Sequence, residues 1–228
     1  ILNKRGFVAP IQLYGIKDKE IKFQKWLTGI DSLTKIKIPV NGFDKLSLNY
    51  EFLLPEYNVR NNWKNVKNKL FNKPVQIKFF KDLEDPYYSQ LFYTPVYKFN
   101  YYDGLVLGLA LSNKTLLKKK LVYKLTPSYG TKSSSFSGSY SFQYEYLPEN
   151  KKVNRLAFGI AGNNFHYAKD LRYSALFPYA LLEFKRKSLR DVSNKSIMLS
   201  YTAIDREKSP TQSEHIETNK YGVFNVGY

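Results

Sequence analysis

One stretch of the sequence, residues 133–147, alternates between large aromatic side chains and small polar ones. One parity carries mostly serines, followed by Gln143 and Glu145. The other parity is mostly aromatic and comprises Phe136, Gly138, Tyr140, Phe142, Tyr144 and Tyr146. Successive side chains of a β-strand point to opposite faces of the sheet, so the stretch predicts a long strand with one apolar and one polar face.

The same two-sided pattern recurs through the C-terminal part of the chain, residues 87–228. Segments with alternating side chains are bounded there by clusters of Gly, Pro, Asn, Asp or Ser, and no helical period of 3.6 residues persists. We therefore predict about eight strands, over residues 91–98, 104–112, 121–129, 135–147, 152–162, 172–186, 195–204 and 221–228.

Two environments produce strands of this kind. In a soluble antiparallel sheet the apolar face meets a core, whereas in an outer-membrane barrel it meets lipid and the polar face lines the lumen. Soluble strands usually have about five or six residues, and membrane strands need about 9 to 11. Several predicted strands reach the longer figure. A short connection at 148–151 and a long polar one at 205–218 also favour a barrel.

Residues 1–86 have a different sequence pattern, in which short segments typical of strands alternate with turns. Strands are expected within 6–15 and 19–29, joined by a tight polar connection, and again within 33–40 and 45–50. Residues 54–63 and 71–74 are interpreted as loop or edge. Short strands about ten residues apart predict a small antiparallel β-sandwich.

The chain is strongly basic, with 36 Lys and Arg against 19 Asp and Glu and a net charge of +17. Such a charge attracts nucleic acid, anionic lipid or an acidic partner. The two basic clusters, residues 118–120 and 185–187, are interpreted as solvated loops that would face anionic lipid at a membrane. We do not expect nucleic acid as a partner, because the aromatic residues lie on strand faces and are not interleaved with basic ones. The chain has no Cys, which excludes disulfides and thiolate chemistry.

Several short motifs together resemble a known family. They are Pro55-Glu56 with Arg60-Asn61-Asn62, residues 90–95, Asn100 with Tyr102-Asp103-Gly104, Leu107-Gly108-Leu109, Asn113, and residues 127–130. This set is similar to the C-terminal region of large Gram-negative zinc metallopeptidases of the aminopeptidase-N-like (gluzincin) type. The resemblance implies an immunoglobulin-like β-domain over residues 1–86 and an outer-membrane-type β-barrel portion over 87–228. Eight strands are few for that barrel, so we expect it to be incomplete in this chain.

The resemblance carries no catalytic residue into the chain. The family's zinc site is an H-E-x-x-H helix, with two His on one face and Glu as general base. The chain has only two His, His166 and His215, and both are predicted to be loop residues. The acidic cluster Asp82, Glu84 and Asp85 is interpreted as a solvated linker. We assign no catalytic, cofactor-binding or metal-binding residue, and zinc is expected only in an upstream peptidase domain.

The expectation is an all-β chain that forms the non-catalytic, membrane-anchoring C-terminal portion of a zinc metallopeptidase. Its partners would be outer-membrane lipid and the upstream peptidase domain of the same polypeptide, and its location the outer membrane. The alternative is a soluble all-β binding module, with the apolar strand faces packed inward.

Overall fold

The fold was analysed in a computed structural model of the chain. It describes residues 1, 8–30, 33–39, 42–56, 58–67, 72–80, 83–117, 119–148, 152–188, 190–208 and 219–228. The chain divides into two compact units, which are described separately. Unit 1 comprises Ile1–Gln76 and Asp85–Ser89, and unit 2 comprises Ile77–Glu84 and Gln90–Tyr228. Strands are the main regular secondary structure in both units, and the described residues contain no α-helix. The predicted all-β class is therefore confirmed.

Unit 1 is built on a four-stranded antiparallel sheet in the order β2-β1-β3-β4. A short 3₁₀ helix, Arg60–Asn62, precedes the last strand. The strands are β1 (Ile11–Lys17), β2 (Glu20–Leu27), β3 (Lys45–Leu48) and β4 (Trp63–Asn65).

The central strand β1 is buried on both faces of this sheet. Leu13 packs with Leu27 and Ile30, and its neighbour Tyr14 packs with Trp63 in a second cluster. Adjacent residues of a strand point to opposite faces, so the two clusters lie on the two sides of the sheet. Burial of both faces explains why five of the seven residues of β1 are apolar, aromatic or Gly.

Two parts of the strand prediction for residues 1–86 were wrong. The segment 33–40 alternates like a strand, but residues 34–39 form no strand, and residue 40 lies outside the described residues. Conversely, β4 and β5 (Val75–Phe79) were not predicted. All three segments are short, and for such segments pairing with a neighbour decides the structure more than the pattern does.

The chain continues from β5 into a nine-stranded sheet in the order β13-β12-β11-β10-β9-β8-β7-β6-β5. All eight strands predicted for this region are confirmed, and one of them, β10, extends six residues beyond its predicted end. The strands are β6 (Ser89–Asn100), β7 (Gly104–Ser112), β8 (Leu121–Gly130), β9 (Ser135–Tyr146), β10 (Val153–Ala168), β11 (Leu171–Phe184), β12 (Ser196–Arg206) and β13 (Lys220–Gly227).

Neighbours in this sheet are also neighbours in the chain. From β6 to β13 every pair is antiparallel, so the strands form a simple meander. In the described part of the chain, β5 and β13 are edge strands and the sheet is open. The connections therefore alternate between two ends of the sheet, here called the turn end and the loop end.

The turn end carries connections of three, four, two and thirteen residues, and the loop end carries connections of eight, six and eleven. One end is thus dominated by tight turns, as the sequence suggested. The two connections cited from the sequence are nevertheless the exceptions. The long one after β12 lies at the turn end, and the short one after β9 is the shortest at the loop end.

Candidate functional site on the nine-stranded sheet

One face of the nine-stranded sheet is apolar across eight strands. Directly opposed residues of neighbouring strands point to the same face. The cross-strand rows Tyr97–Leu107–Tyr129–Phe136 and Leu121–Tyr144–Phe158–Ala180–Leu199–Val226 therefore run along one surface. We call this surface, from β6 to β13, the apolar face.

Large apolar side chains on this face are exposed rather than covered. Tyr97 is 82% exposed, Phe99 76% and Phe136 74%. Leu105, Leu107, Tyr144, Phe158, Phe224 and Val226 are each more than 40% exposed. Soluble monomers rarely expose contiguous apolar surface on this scale, which usually marks contact with another apolar phase or partner.

The opposite face, here called the polar face, carries small and hydrophilic side chains on β9 and on the part of β10 paired with it. On β11 the same face also carries Phe177, Tyr179 and Leu181. On β9 and β10 the opposed pairs are Ser141–Ala161, Gln143–Gly159 and Glu145–Ala157. The alternation in residues 133–147 therefore places the aromatic side chains on one face of the sheet and the small or polar side chains on the other, as predicted.

Near the loop end, the polar face holds a chain of charges across three strands. Arg155 of β10 lies between Glu145 of β9, at 3.2 Å, and Glu183 of β11, at 3.0 Å. These side chains are only 14 to 24% exposed. Partial burial strengthens the attraction between the charges and makes the loss of one partner costly.

Next to these charges, a tyrosine covers a glycine on the polar face. A Cβ atom at Gly159 would lie 2.3 Å from the ring of Tyr179, the residue opposite it on β11. The Tyr179 hydroxyl reaches across that glycine and donates a hydrogen bond of 2.9 Å to Gln143 Oε1 on β9. Only a glycine at position 159 leaves room for the Tyr179 side chain to cross β10 and reach Gln143 on β9.

A second polar cluster forms around Asp103, at the turn end. The carboxylate of Asp103 accepts hydrogen bonds from Ser133 Oγ at 2.7 Å and Asn100 Nδ2 at 3.0 Å. It also accepts from Nδ1 of His166 at 2.5 Å and from the backbone N–H of His166 at 3.3 Å. The cluster joins the β6–β7 turn, the β8–β9 turn and the end of β10.

The carboxyl group of Asp103 is almost fully buried, at 1% exposure. Burial by itself favours the neutral acid, but the hydrogen bonds from Ser133 and His166 outweigh it and hold the pKa of Asp103 below its usual value. Asp103 therefore acts as an ionised acceptor that fixes the surrounding donors.

The cluster contains Asp, His and Ser, but it is not arranged as a catalytic triad. A triad places the carboxylate and the serine on opposite ring nitrogens of the histidine. Here Ser135 Oγ approaches Nδ1, at 3.5 Å, which is the nitrogen already bonded to Asp103. Nε2 instead accepts from Arg172 Nε at 3.4 Å. This geometry braces the sheet and provides no activated nucleophile.

The structure corrects one prediction about this cluster. His166 was expected in a loop, but it lies in β10 and is 6% exposed. Its main partner, Asp103, is 63 residues away in the sequence, and no local pattern announces that contact. Residues 101–103 form a tight turn before β7, and Gly104 has a φ of +71°. His215 lies outside the described residues.

The acidic cluster at residues 82–85 is described only in part. Glu84 and Asp85 are described, whereas Asp82 is not. Among the described residues, no three His, Asp or Glu side chains are grouped closely enough to hold a metal ion. The donor set of a zinc peptidase is therefore not found in the described part of this chain.

Two concave regions lie on the sheet. A groove of about 1040 Å³ is lined by residues from β8 to β13, including the apolar-face residues Phe136, Tyr140, Leu176 and Tyr201. A smaller cavity of about 310 Å³ is lined by residues of β6 to β10, including Lys98, Lys124, Ser128 and Ser139.

Comparisons with known proteins found no similarity: no protein-family model matches the chain, and neither a curated protein nor a solved structure resembles it detectably. In the described residues, no helix has the length and apolar character needed to span a membrane.

Proposed function

We propose that this chain is the non-catalytic, membrane-anchoring C-terminal portion of a zinc metallopeptidase-like protein of the outer membrane. In this proposal the strands β6–β13 form part of a β-barrel wall, with the apolar face against lipid and the polar face toward the lumen. The observation that carries the proposal is the exposed apolar face, which extends across those eight strands and gives way to the polar row Asn164–Ser174–Asp205–Lys220 toward the turn end.

The strand lengths suit a bilayer. The strands β6–β12 have between 9 and 16 residues. Ten residues at about 3.3 Å each, tilted by about 45°, cover about 23 Å, close to the apolar band of about 25 Å of such barrels. Strands of ordinary soluble length would fall short of that distance.

The polar face is also suited to a lumen. Its charges are paired across strands through Arg155, so this row of side chains does not need bulk water. In hydrocarbon, the backbone groups at both sheet edges must also be paired. The proposal therefore requires that β5 and β13 pair with each other or with further strands in the membrane.

The remainder of the proposal is supported by the family resemblance. The immunoglobulin-like spacer expected over residues 1–86 would correspond to unit 1, whereas β5 belongs to the nine-stranded sheet. The peptidase with its zinc would lie upstream in the same polypeptide. Two of the resembling motifs lie in hydrogen-bond clusters: Glu56 accepts from Asn62 and Asn49, and Asp103 accepts from Asn100. These motifs therefore have structural roles here.

The lipid-facing arrangement can be tested directly because the chain has no cysteine. Single variants Ile160→Cys on the apolar face and Ala161→Cys on the polar face would carry an environment-sensitive fluorophore in phosphatidylcholine bilayers. We expect lipids with a quencher on the acyl chain to quench the label at residue 160 strongly and the label at 161 weakly. Equal quenching at the two adjacent positions would contradict the proposal.

The alternative, a soluble all-β binding module, is favoured by one observation. The groove of about 1040 Å³ on the apolar face is large enough to enclose a small apolar ligand. This alternative expects the chain to be monodisperse and to unfold cooperatively without detergent. The membrane proposal expects detergent dependence and a folded form whose gel mobility changes on heating.

A further inference from the structure

The two ends of the nine-stranded sheet differ sharply in charge. At the loop end, the described residues of the three connections include nine Lys or Arg and one Asp. At the turn end, the described residues of the four connections include three Lys and three acidic residues. The basic character of the chain is therefore concentrated at one end of the strands.

The same basic connections carry exposed apolar side chains. Val192 is 95% exposed, Leu116 80% and Leu147 61%. They are separated by only a few residues from exposed cations such as Lys114 and Arg190. Apolar side chains interspersed with Lys and Arg are typical of segments that lie at the boundary between lipid headgroups and acyl chains.

We propose that the loop end of the sheet binds the phosphates of anionic lipid headgroups. This inference rests on the proposed membrane function. The apolar face ends on β9 at Tyr144 and Tyr146, and the connection to β10 begins at Leu147, so the basic loops continue from the rim of the apolar surface. With that surface in hydrocarbon, the loop-end cations reach headgroup depth, where each Lys or Arg contributes to binding of an anionic leaflet.

An anionic lipid surface fits these connections better than nucleic acid does. A single-stranded nucleic acid site combines cations with aromatic rings on which bases stack. The described residues of the three loop-end connections contain no aromatic residue, and their exposed apolar side chains are Leu and Val. Aliphatic side chains offer no ring for bases to stack on, but their burial below the lipid headgroups favours membrane binding.

The test compares the full chain with two matched triple variants. One removes three exposed loop-end cations (Lys120→Gln, Lys187→Gln and Lys195→Gln), and the other removes three exposed turn-end cations (Lys132→Gln, Lys169→Gln and Lys208→Gln). Flotation with vesicles measures the preference for phosphatidylcholine containing 30% phosphatidylglycerol over phosphatidylcholine alone. At about fivefold per cation, the loop-end variant should lose at least tenfold of that preference. The turn-end variant should keep it.

The outcomes separate this inference from the proposed function. If the labels at residues 160 and 161 report insertion in both lipids but no anionic preference exists, this inference is overturned and the membrane function stands. If the labels report no insertion in either lipid, both proposals are overturned. Equal losses in the two triple variants overturn the loop-end assignment. Binding of a 30-nucleotide single strand that the loop-end variant loses, without any lipid preference, also overturns it in favour of nucleic acid.

Discussion

Nδ1 of His166 lies 2.5 Å from Oδ1 of Asp103, although two strands, β8 and β9, lie between β7 and β10 in the sheet. For this contact to form, the β6–β7 turn must lie close to the end of β10. It is therefore a tertiary brace across the meander, reinforced by the hydrogen bond of 2.8 Å from Asn100 Nδ2 to the carbonyl oxygen of His166.

Replacing Asp103 with Asn should weaken this brace at neutral pH. Hydrogen bonds to a charged acceptor contribute about 1.5 to 3 kcal/mol, so the free energy of unfolding should fall by about 2 kcal/mol. Urea unfolding in detergent micelles at pH 7 would measure the loss. An unchanged midpoint would show that the cluster does not stabilise the sheet.

The effect of Asp103→Asn should also depend on pH. The pKa of Asp103 is lower in the folded chain than its unfolded value of about 3.9. Its stabilisation is therefore present above that value and is lost as the pH falls through the folded pKa. The difference in unfolding free energy between wild type and Asp103→Asn should narrow below about pH 4.

Substitution of Gly159 by Ala should be unusually costly for an added methyl group. The new Cβ would overlap the ring of Tyr179 and displace its hydroxyl from Gln143, at a cost of about 1 to 3 kcal/mol. Gly227→Ala is the matched control, because its nearest neighbour would lie at 3.9 Å. In a Tyr179→Ser background, Gly159→Ala should cost much less, and purely additive effects would contradict the bridge.

Arg155→Met should leave two partly buried carboxylates, Glu145 and Glu183, without their shared cation. We expect a loss of about 2 kcal/mol in unfolding free energy, less than for a fully buried pair because the groups keep some exposure. The comparison is Lys220→Met, which breaks the exposed pair with Asp205 and should change stability by less than about 1 kcal/mol. Similar effects for both substitutions would contradict a special role for Arg155.

In unit 1, Tyr14→Phe should lower stability by about 1 kcal/mol at pH 8. The Tyr14 side chain is fully buried, and its hydroxyl donates to Glu51 Oε2 at 2.6 Å. Burial, followed by the hydrogen bond to Glu51, raises the pKa of Tyr14. The folded chain therefore resists ionisation, and wild type should lose stability above about pH 10, where unfolded Tyr ionises, more steeply than Tyr14→Phe does. Both tryptophans, Trp26 and Trp63, lie in unit 1, so tryptophan fluorescence reports its unfolding selectively.

Much of the nine-stranded sheet could be predicted because its signal is local. Alternation along β9 or β7 gives the strand, its faces and nearly its ends, and short connections make sequential strands pair. The row Glu145–Arg155–Glu183 was not predicted, but pairing the strands across their connections would have aligned those charges. The contact between Asp103 and His166 had no such signal, since it depends on how the sheet curves across the two strands between β7 and β10. The strand predictions for segment 33–40 and β5 failed for the same reason. Whether each segment pairs with a neighbouring strand cannot be seen in a short stretch of sequence.

The consequence of the meander is that this sheet can assemble by successive local steps. Each strand from β7 to β13 finds its partner in the segment just before it, so no step must await a distant part of the polypeptide. Loop closure over such short separations has a low entropic cost, which favours rapid, zipper-like growth from one edge. A substitution that prevents one hairpin from forming would then stop strand pairing at that hairpin and leave the earlier hairpins paired.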